Sequence, residues 1–431
     1  VSHGAIESAQ LAALRTLLAE ILPGNRFYAE KFASAGVGFD VAGLADFSKR
    51  FPFTTKPELV ADQQRHSPFG TNLTYPLAAC TRFHQTSGTT AQPLRWLDTA
   101  ESWDALLGAW CEVYRAAEVG AADRVYFAFS FGPFLGFWMA FESAQRLGCL
   151  CLPGGALGTT ARLRAILDNG ATVLCCTPSY AIRLGEVAQA EGLDLGRSQI
   201  RRIIVAGEPG GSIPATRGRI EALWPGARVF DHHGMTETGP VTYECPARPG
   251  FLHVIESACL AEIVDSASGR AVGAGQPGEL VLTTLARAAS PVLRYRTGDL
   301  VRGELARGPC ACGRWEMALV GGILGRVDDM VIVRGVNLYP AAVEQVLRGF
   351  PEVAEFQVVI AGQRAMTELE VTVEPTPGCP SPGELVGRVT AALELAFALR
   401  IPVRSVVPGS LPRFEMKARR WIRRAGVPQP E

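Results

Sequence analysis

Five short stretches of this sequence carry residue types and spacings that could do chemistry. The first is Thr86-Ser87-Gly88-Thr89-Thr90, followed by Pro93. Hydroxyls packed around a glycine make a loop whose backbone N–H groups can wrap a polyphosphate, and the glycine lets the backbone approach closely. The stretch lacks the glycine and lysine spacing of a P-loop, which excludes that class of nucleotide site; an ordinary Ser/Thr turn is the alternative. The second is Asp231-His-His-Gly-Met-Thr-Glu237, directly after a strand end. A carboxylate beside a threonine suits Mg²⁺ held together with phosphate oxygens, although a solvated acidic loop would look the same. The third is Tyr295-Arg-Thr-Gly-Asp299, where an ionised carboxylate after a tight glycine turn offers two acceptors to a ribose, or merely caps the turn. The fourth runs from Gly325 through Arg326 and Asp328 to Gly335, and a plain linker into a strand would fit it equally. The fifth is Pro412-Arg-Phe-Glu-Met-Lys417, whose lysine is an ordinary surface charge when read alone.

These stretches need elements to position them. Short apolar runs at 124–129, 149–152, 171–176, 202–206 and 228–230 predict strands. They alternate with helix-length patterns at 134–147, 160–169, 178–191 and 214–223. Such alternation implies a parallel sheet covered on both faces, with ligands beyond the carboxyl ends of its strands. A helix is expected over 5–22, then a loop-rich stretch to about Tyr75. From about Phe251 the texture becomes that of antiparallel strands, at 252–264 and 279–284. Past Gly325 a strand, helix, strand, strand, helix, strand order spans roughly 100 residues, an ordinary size for a small domain. The expected fold class is therefore α/β: a large N-terminal domain with doubly wound, mostly parallel sheets and a β-rich subdomain, and a small α+β C-terminal domain. The expected boundary divides 1–325 from 326–431.

The chain has 431 residues, 48% of them hydrophobic, which is too much for one ordinary core. Lys plus Arg equals Asp plus Glu at 42 each, so nothing points to a nucleic-acid or membrane surface. The 11 cysteines are odd in number and scattered, as expected of reduced, buried thiols. No basic stretch followed by an apolar one opens the chain, and the apolar segment 127–141 is too short to span a bilayer. A cytoplasmic location is expected.

Taken together, in this order and spacing, the stretches resemble the acyl/aryl-CoA synthetase, adenylation-domain and luciferase superfamily. Within it the chain looks like the short phenylacetate–CoA ligase branch. The resemblance rests on Ser87 to Thr90, Gly207-Glu208-Pro209, Gly234-Met235-Thr236-Glu237, Tyr295 to Asp299, Gly325 to Gly335 and the late Lys417. It implies a residue-by-residue assignment. Thr86, Ser87, Gly88, Thr89 and Thr90 would hold the β- and γ-phosphates of ATP, and Gly207, Glu208 and Pro209 would line the adenine pocket with His233, Gly234 and Met235. Thr236 would touch the α-phosphate and Glu237 would bind Mg²⁺. Asp299 would take the ribose hydroxyls with Arg326 nearby. Lys417 would reach the carboxylate and α-phosphate, and Asp328 would be the hinge between two half-reactions. The implied activity joins a carboxylic acid to ATP as an acyl-adenylate, then to coenzyme A. A carrier-protein phosphopantetheine or an amine is the alternative acceptor, a silent nucleotide-binding protein is the reading from another class, and a homodimer is compatible with the branch.

The resemblance also places the acid among Phe131, Phe134, Phe137, Trp138, Tyr180 and His232, an aromatic set that suits a flat aromatic or arylacetic acid; core packing would explain each of them singly. Cys310 and Cys312, with Cys245 and His253 upstream, would satisfy tetrahedral Zn²⁺ in a structural role. Three departures from the family pattern stand out. His233 replaces the usual adenine-stacking tyrosine, Ala91-Gln92 replaces Gly-Lys, and Met416 replaces the glycine before the lysine.

Overall fold

The computed structural model describes residues 2–86, 93–304, 308–334, 336–363, 366–414 and 418–424. The expectations placed on Ser87, Gly88, Thr89, Thr90, Ala91, Gln92, Met416 and Lys417 lie outside the described residues.

The alternating apolar runs form a five-stranded parallel sheet. Its order is Leu150–Pro153, Arg124–Phe127, Val173–Cys176, Arg202–Val205 and Arg228–Asp231. Successive side chains on a strand point to opposite faces, and here they fill two separate cores. Val125, Phe127, Val173, Cys175 and Ile204 join one core with Trp103, Trp110 and Met139. Tyr126, Leu174, Cys176, Ile203 and Val205 join the other with Leu163, Leu184 and Trp224. The crossover helices Leu135–Arg146, Thr159–Asp168, Pro178–Ala190 and Pro214–Leu223 agree with the sequence expectation to within one or two residues.

Sequence patterning did not single out the helix Ala100–Ala116. Its signal is nevertheless present. Thr99 caps it by accepting from the Ser102 N–H at 3.2 Å, and Trp103, Leu106, Leu107, Trp110, Val113 and Tyr114 make a helical stripe buried in the first core. The stretch read as loop before Tyr75 holds three helices, Arg26–Ser34, Leu44–Arg50 and Lys56–Arg65, and the last opens with a Thr55/Glu58 capping box.

A six-stranded antiparallel sheet follows, in the order Thr242–Glu244, Phe251–Val254, Ala318–Arg326, Tyr295–Glu304, Pro277–Thr284 and Cys259–Val264. The single strand expected over 252–264 is two strands, divided by a turn in which the Ala258 N–H donates to the Ile255 carbonyl. The halves pair with different neighbours. Nor is Gly298 a tight turn. It sits inside the strand Tyr295–Glu304 at φ +75°, where the register against the neighbouring strand shifts between Glu279 and Val281, so it is a bulge. A Cβ there would stand 2.7 Å from the Arg326 guanidinium, so glycine serves both the backbone angle and the close approach.

Residues from Val331 onward build their own core around Val343, Phe356, Val358, Val371 and Leu385. Its four-stranded sheet runs Val403–Ser405, Met366–Pro375, Val353–Gln363 and Trp421–Arg423, with helices Pro340–Arg348 and Pro382–Phe397.

One buried ion pair ties distant parts of the N-terminal region together. Both oxygens of Asp98 accept from Arg287, at 2.7 and 2.6 Å, and neither side chain has any solvent exposure. Arg287 also donates to the carbonyls of Thr236 and Glu237, at 2.7 and 3.1 Å. Removing one charge of such a pair leaves the other buried and unpaired, which typically costs about 3–5 kcal/mol. Asp98→Asn is therefore expected to lower the urea unfolding midpoint of the full chain by the equivalent of several kcal/mol. A loss under about 1 kcal/mol would mean that Arg287 is held by its carbonyl partners alone.

Candidate active site

The strand Arg228–Asp231 ends in Asp231, and the chain then turns through a small hairpin. Gly234–Met235 pairs with Gly239–Pro240 there, and Thr236 to Thr238 form the turn. A Cβ at residue 234 would meet the Gly239 carbonyl oxygen at 2.9 Å, so the hairpin closes only around glycine. Met235 packs against the small core of Leu59, Trp96 and Tyr295. The turn presents Glu237, which is buried. Its Oε1 accepts from the Tyr295 hydroxyl at 3.3 Å and lies 3.4 Å from the Lys56 ammonium. The backbone carbonyls of Thr236 and Glu237 are fixed from below by Arg287.

Asp299 is buried at the neighbouring strand. Arg326 Nη1 donates to its Oδ1 at 3.2 Å, while its Oδ2 lies 3.2 Å from His233 Nε2. Neither of these last two atoms has a hydrogen bond of good geometry among the described residues. Arg326 spans further, donating to Asp328 Oδ1 at 2.9 Å and to the Thr297 carbonyl at 3.3 Å. The Asp299 and Asp328 carboxylates hold its guanidinium pKa above the ordinary value, against the cost of burial.

Thr86 immediately precedes residues 87–92 in sequence. Its N–H donates to the Leu94 carbonyl and its hydroxyl oxygen accepts from the Leu94 N–H, both at 3.0 Å. Beyond the adjacent parallel strand, Gly207 has φ +93°. Both oxygens of Glu208 are already engaged. Oε1 accepts from the Ser179 N–H at 2.8 Å and Oε2 from the Ala418 N–H at 2.7 Å. The Glu208 carboxylate is thus committed to these two N–H groups.

The aromatic set divides. Phe131 meets Trp138 at 4.9 Å, Phe134 meets Phe137 at 6.0 Å, and Phe137 stacks on Phe129 at 4.2 Å, all on the face of the first core. His232 lies on that face too, edge-on to Trp110 at 4.4 Å, and burial drops its pKa to about 3. Tyr180 belongs to the opposite face. It is fully buried in the second core, and its hydroxyl accepts from Arg162 Nη1 at 2.7 Å. The parallel sheet stands between Tyr180 and the other five, so it does not share a pocket with them.

A separate cluster lies at the edge of the antiparallel sheet. The ligand atoms of Cys245, His253, Cys310 and Cys312 all fall within 4.8 Å of one another. Cys245 Sγ is 3.6 Å from Cys310 Sγ, and Cys312 Sγ is 3.4 Å from His253 Nε2. A tetrahedron with bonds of about 2.3 Å to sulfur has edges of about 3.8 Å, so the spacing fits a four-coordinate ion. His253 Nδ1 lies 3.1 Å from the Glu316 carbonyl, which as acceptor selects the tautomer whose Nε2 faces the thiols. Hydrogen bonds from Cys245, Cys312 and Arg248 hold the Cys310 pKa below its ordinary value, overcoming the opposing effect of burial.

The structure therefore gathers Thr236, Glu237, His233, Asp299 and Arg326 at the seam between the two sheets. Sequence patterning did not reveal Lys56 beside Glu237, the partner of the Tyr295 hydroxyl, Trp110 against His232, or the Arg287–Asp98 support. The capping box at Thr55 locates the helix that carries Lys56, but no local spacing links Lys56 to a residue 181 positions away.

Two family models match the chain: "AMP-binding enzyme" over residues 83–286 and "AMP-binding enzyme C-terminal domain" over residues 335–424. The phenylacetate-coenzyme A ligase of Thermus thermophilus is 34% identical over 368 residues, covering 84% of this chain and 79% of the relative. That of Pseudomonas putida is 30% identical over 426 residues, covering 97% and 94%. Among solved structures, 2-hydroxyisobutyryl-CoA ligase in the postadenylation state with its acyl-adenylate superposes with a TM-score of 0.93 at 29% identity, covering 99% of this chain and 91% of that one. The same ligase in the thioesterification state, with coenzyme A, gives 0.74 at 29% identity, covering 98% and 90%.

The start of the hairpin carries a pH signature. Asp231 is buried, accepts from the Ser212 hydroxyl at 2.5 Å, and its pKa is pushed up to about 7 by burial, with Glu244 adding to the rise. An acid whose folded pKa exceeds its unfolded value binds more protons when folded, so its contribution to stability falls as pH rises from about 4 to about 7. The penalty of Asp231→Asn is expected to be smaller at pH 8 than at pH 5 by urea unfolding. Equal penalties at both would show that Asp231 keeps its charge throughout.

Proposed function

This chain belongs to the phenylacetate–CoA ligase branch of the AMP-binding enzymes, acid–thiol ligases that form an acyl-adenylate from ATP and pass the acyl group to coenzyme A, and on that premise we propose how its residues divide the work. The observation that carries the proposal is the convergence of Glu237, His233, Asp299 and Arg326 at one seam.

In the first half-reaction a carboxylate oxygen of the acid attacks the α-phosphorus of ATP, and the bond to pyrophosphate breaks. In the second, the thiol sulfur of coenzyme A attacks the acyl carbon and AMP leaves. Residues Thr86 to Thr90 take the β- and γ-phosphates through backbone N–H groups and hydroxyls. The Thr236 hydroxyl touches the α-phosphate. Glu237, buried and held by the Tyr295 hydroxyl, offers carboxylate oxygen to Mg²⁺, which when bound neutralises charge on the phosphates. Lys56, already 3.4 Å from that carboxylate, is close enough to share the phosphate charge. Asp299, with one oxygen fixed by Arg326, accepts the ribose hydroxyls, and the His233 ring, in the place of the usual tyrosine, stacks on the adenine. Lys417 completes the charge complement in the first half-reaction. The pairing of Arg326 with Asp328 suits a hinge at that position, around which 326–431 turns as a mobile unit between the two steps. Positioning and electrostatics supply most of the rate.

For the acid we propose a flat aromatic or arylacetic carboxylate. The segment 131–138 that carries Phe131, Phe134, Phe137 and Trp138 has no charged residue, and His232, against Trp110 of the same core, is held neutral by burial. We assign a structural Zn²⁺ to Cys245, His253, Cys310 and Cys312, whose four ligands leave no open position for substrate.

Carboxylate-dependent pyrophosphate release tests the function. Purified protein with ATP and Mg²⁺ is given aryl, arylacetic and short aliphatic acids, with and without coenzyme A. Multiple turnovers with an aromatic acid only when coenzyme A is present are expected. Release that stays near one turnover with coenzyme A would transfer the second step to a carrier protein or amine. Activity confined to short aliphatic acids would overturn the aromatic assignment. For the zinc, elemental analysis is expected to find about one Zn per chain, and Cys310→Ser to abolish it and lower the melting temperature. Metal-free protein with an unchanged melting temperature would sink that assignment.

A further inference from the structure

Glu208 does something that its place in the sequence does not suggest. Its two carboxylate oxygens accept from two backbone N–H groups on different parts of the chain, Ser179 and Ala418, at 2.8 and 2.7 Å. Ser179 lies in the first turn of the helix Pro178–Ala190, where N–H groups have no intrahelical acceptor and the helix dipole favours an anion. One oxygen of Glu208 is thereby anchored to a rigid element of the parallel-sheet layer. The other is offered to the segment 418–420, which directly follows Lys417 in sequence.

A second link parallels the first. Arg420 Nη1 donates to the Ser179 hydroxyl at 3.0 Å, while the same guanidinium is locked to both oxygens of Glu355 at 2.7 and 3.1 Å. Glu355 lies in the strand Val353–Gln363 of the C-terminal sheet. The start of one helix therefore receives the C-terminal segment twice, through Glu208 and through the Ser179 side chain. The amide nitrogen of Ala418 belongs to the planar peptide unit that joins it to residue 417.

We infer that Glu208 is a positioning residue for the first half-reaction: its carboxylate bridges the Ser179 and Ala418 N–H groups and seats the segment 418–420, which follows Lys417 in sequence, on the start of the helix Pro178–Ala190. The inference rests on the reading of Lys417 proposed above. A side chain on a four-carbon stem acts on the α-phosphate only if its backbone is fixed, and a misplacement of about 1 Å costs on the order of 100-fold in rate. Glutamine at 208 keeps one acceptor oxygen but turns an amide NH₂ toward the second N–H, so it cannot make both bonds.

The test measures the two half-reactions separately on the full chain. Acid-dependent exchange of pyrophosphate into ATP reports the first, and thioester formation from coenzyme A with supplied acyl-adenylate reports the second. Glu208→Gln is expected to lower kcat of the exchange by about 10- to 100-fold, with the ratio of first to second half-reaction falling at least about tenfold. Ser179→Ala, which removes only the Arg420 link, is expected to lower the ratio in the same direction by a smaller factor. Melting temperatures of both variants within about 2 °C of wild type separate this from simple unfolding. Equal losses in both half-reactions would overturn the inference, as would a rise in the KM for ATP with kcat unchanged, which would return Glu208 to the adenine pocket. A wild-type chain silent in the exchange with every acid would overturn the parent reading and this inference with it.

Discussion

The geometry of the site depends first on a pair of charges that never meets water. Asp98 lies in the strand Arg95–Thr99 and Arg287 follows the strand Pro277–Thr284, and the two side chains satisfy each other with no solvent exposure. A buried guanidinium has five donors to satisfy. Arg287 gives Nε and Nη2 donors to the Asp98 carboxylate, and its Nη1 donates to the carbonyls of Thr236 and Glu237. The cost of desolvating the pair is offset only if all these bonds are made together, which fixes the turn 236–238 relative to both sheets. Glu237 thus stands on a backbone that cannot drift, and its side chain is set by the Tyr295 hydroxyl from the neighbouring sheet.

The same logic recurs at each functional carboxylate. Asp299 shares one oxygen with Arg326 and turns the other toward His233. Arg326 in turn reaches Asp328, so the segment leading out of the antiparallel sheet is held by the charge that also orients the Asp299 carboxylate. Glu208 is anchored at a helix start and extends to Ala418. In each case one oxygen is committed to a rigid element and the other faces a seam.

Some of this was legible in the residues alone. The alternation of apolar runs located every strand and crossover helix of the parallel sheet, because a doubly covered strand must be apolar on both faces and its helices must carry a stripe. Gly298 was misread as a turn because a glycine at positive φ marks a bulge and a turn alike, and only the register of the partner strand separates them. The strand expected over 252–264 was divided for a similar reason: both halves are apolar, and only their different partners reveal the break. The three helices before Tyr75 carry a weak pattern among Pro, Gly and polar residues, although the capping box at Thr55 marks the last of them. Tyr180 was placed with the acid pocket by resemblance, yet its position in the helix sends it to the opposite core.

By itself the sequence determined the parallel-sheet framework, because the period of apolar residues along a strand or helix fixes which faces are buried. The hydroxyl-rich stretch, the carboxylates at 237 and 299 and the Cys/His set it offered only as candidates, since the residues that would answer them lie far away in the chain. The tertiary structure alone decided which charges answer which. Arg287 finds Asp98 across 189 positions, Lys56 finds Glu237 across 181, and Glu208 finds Ala418 across 210. No pattern in the chain encodes such pairings. They are settled when the two sheets and the C-terminal unit pack, and each charge taken out of water must then be met by a partner.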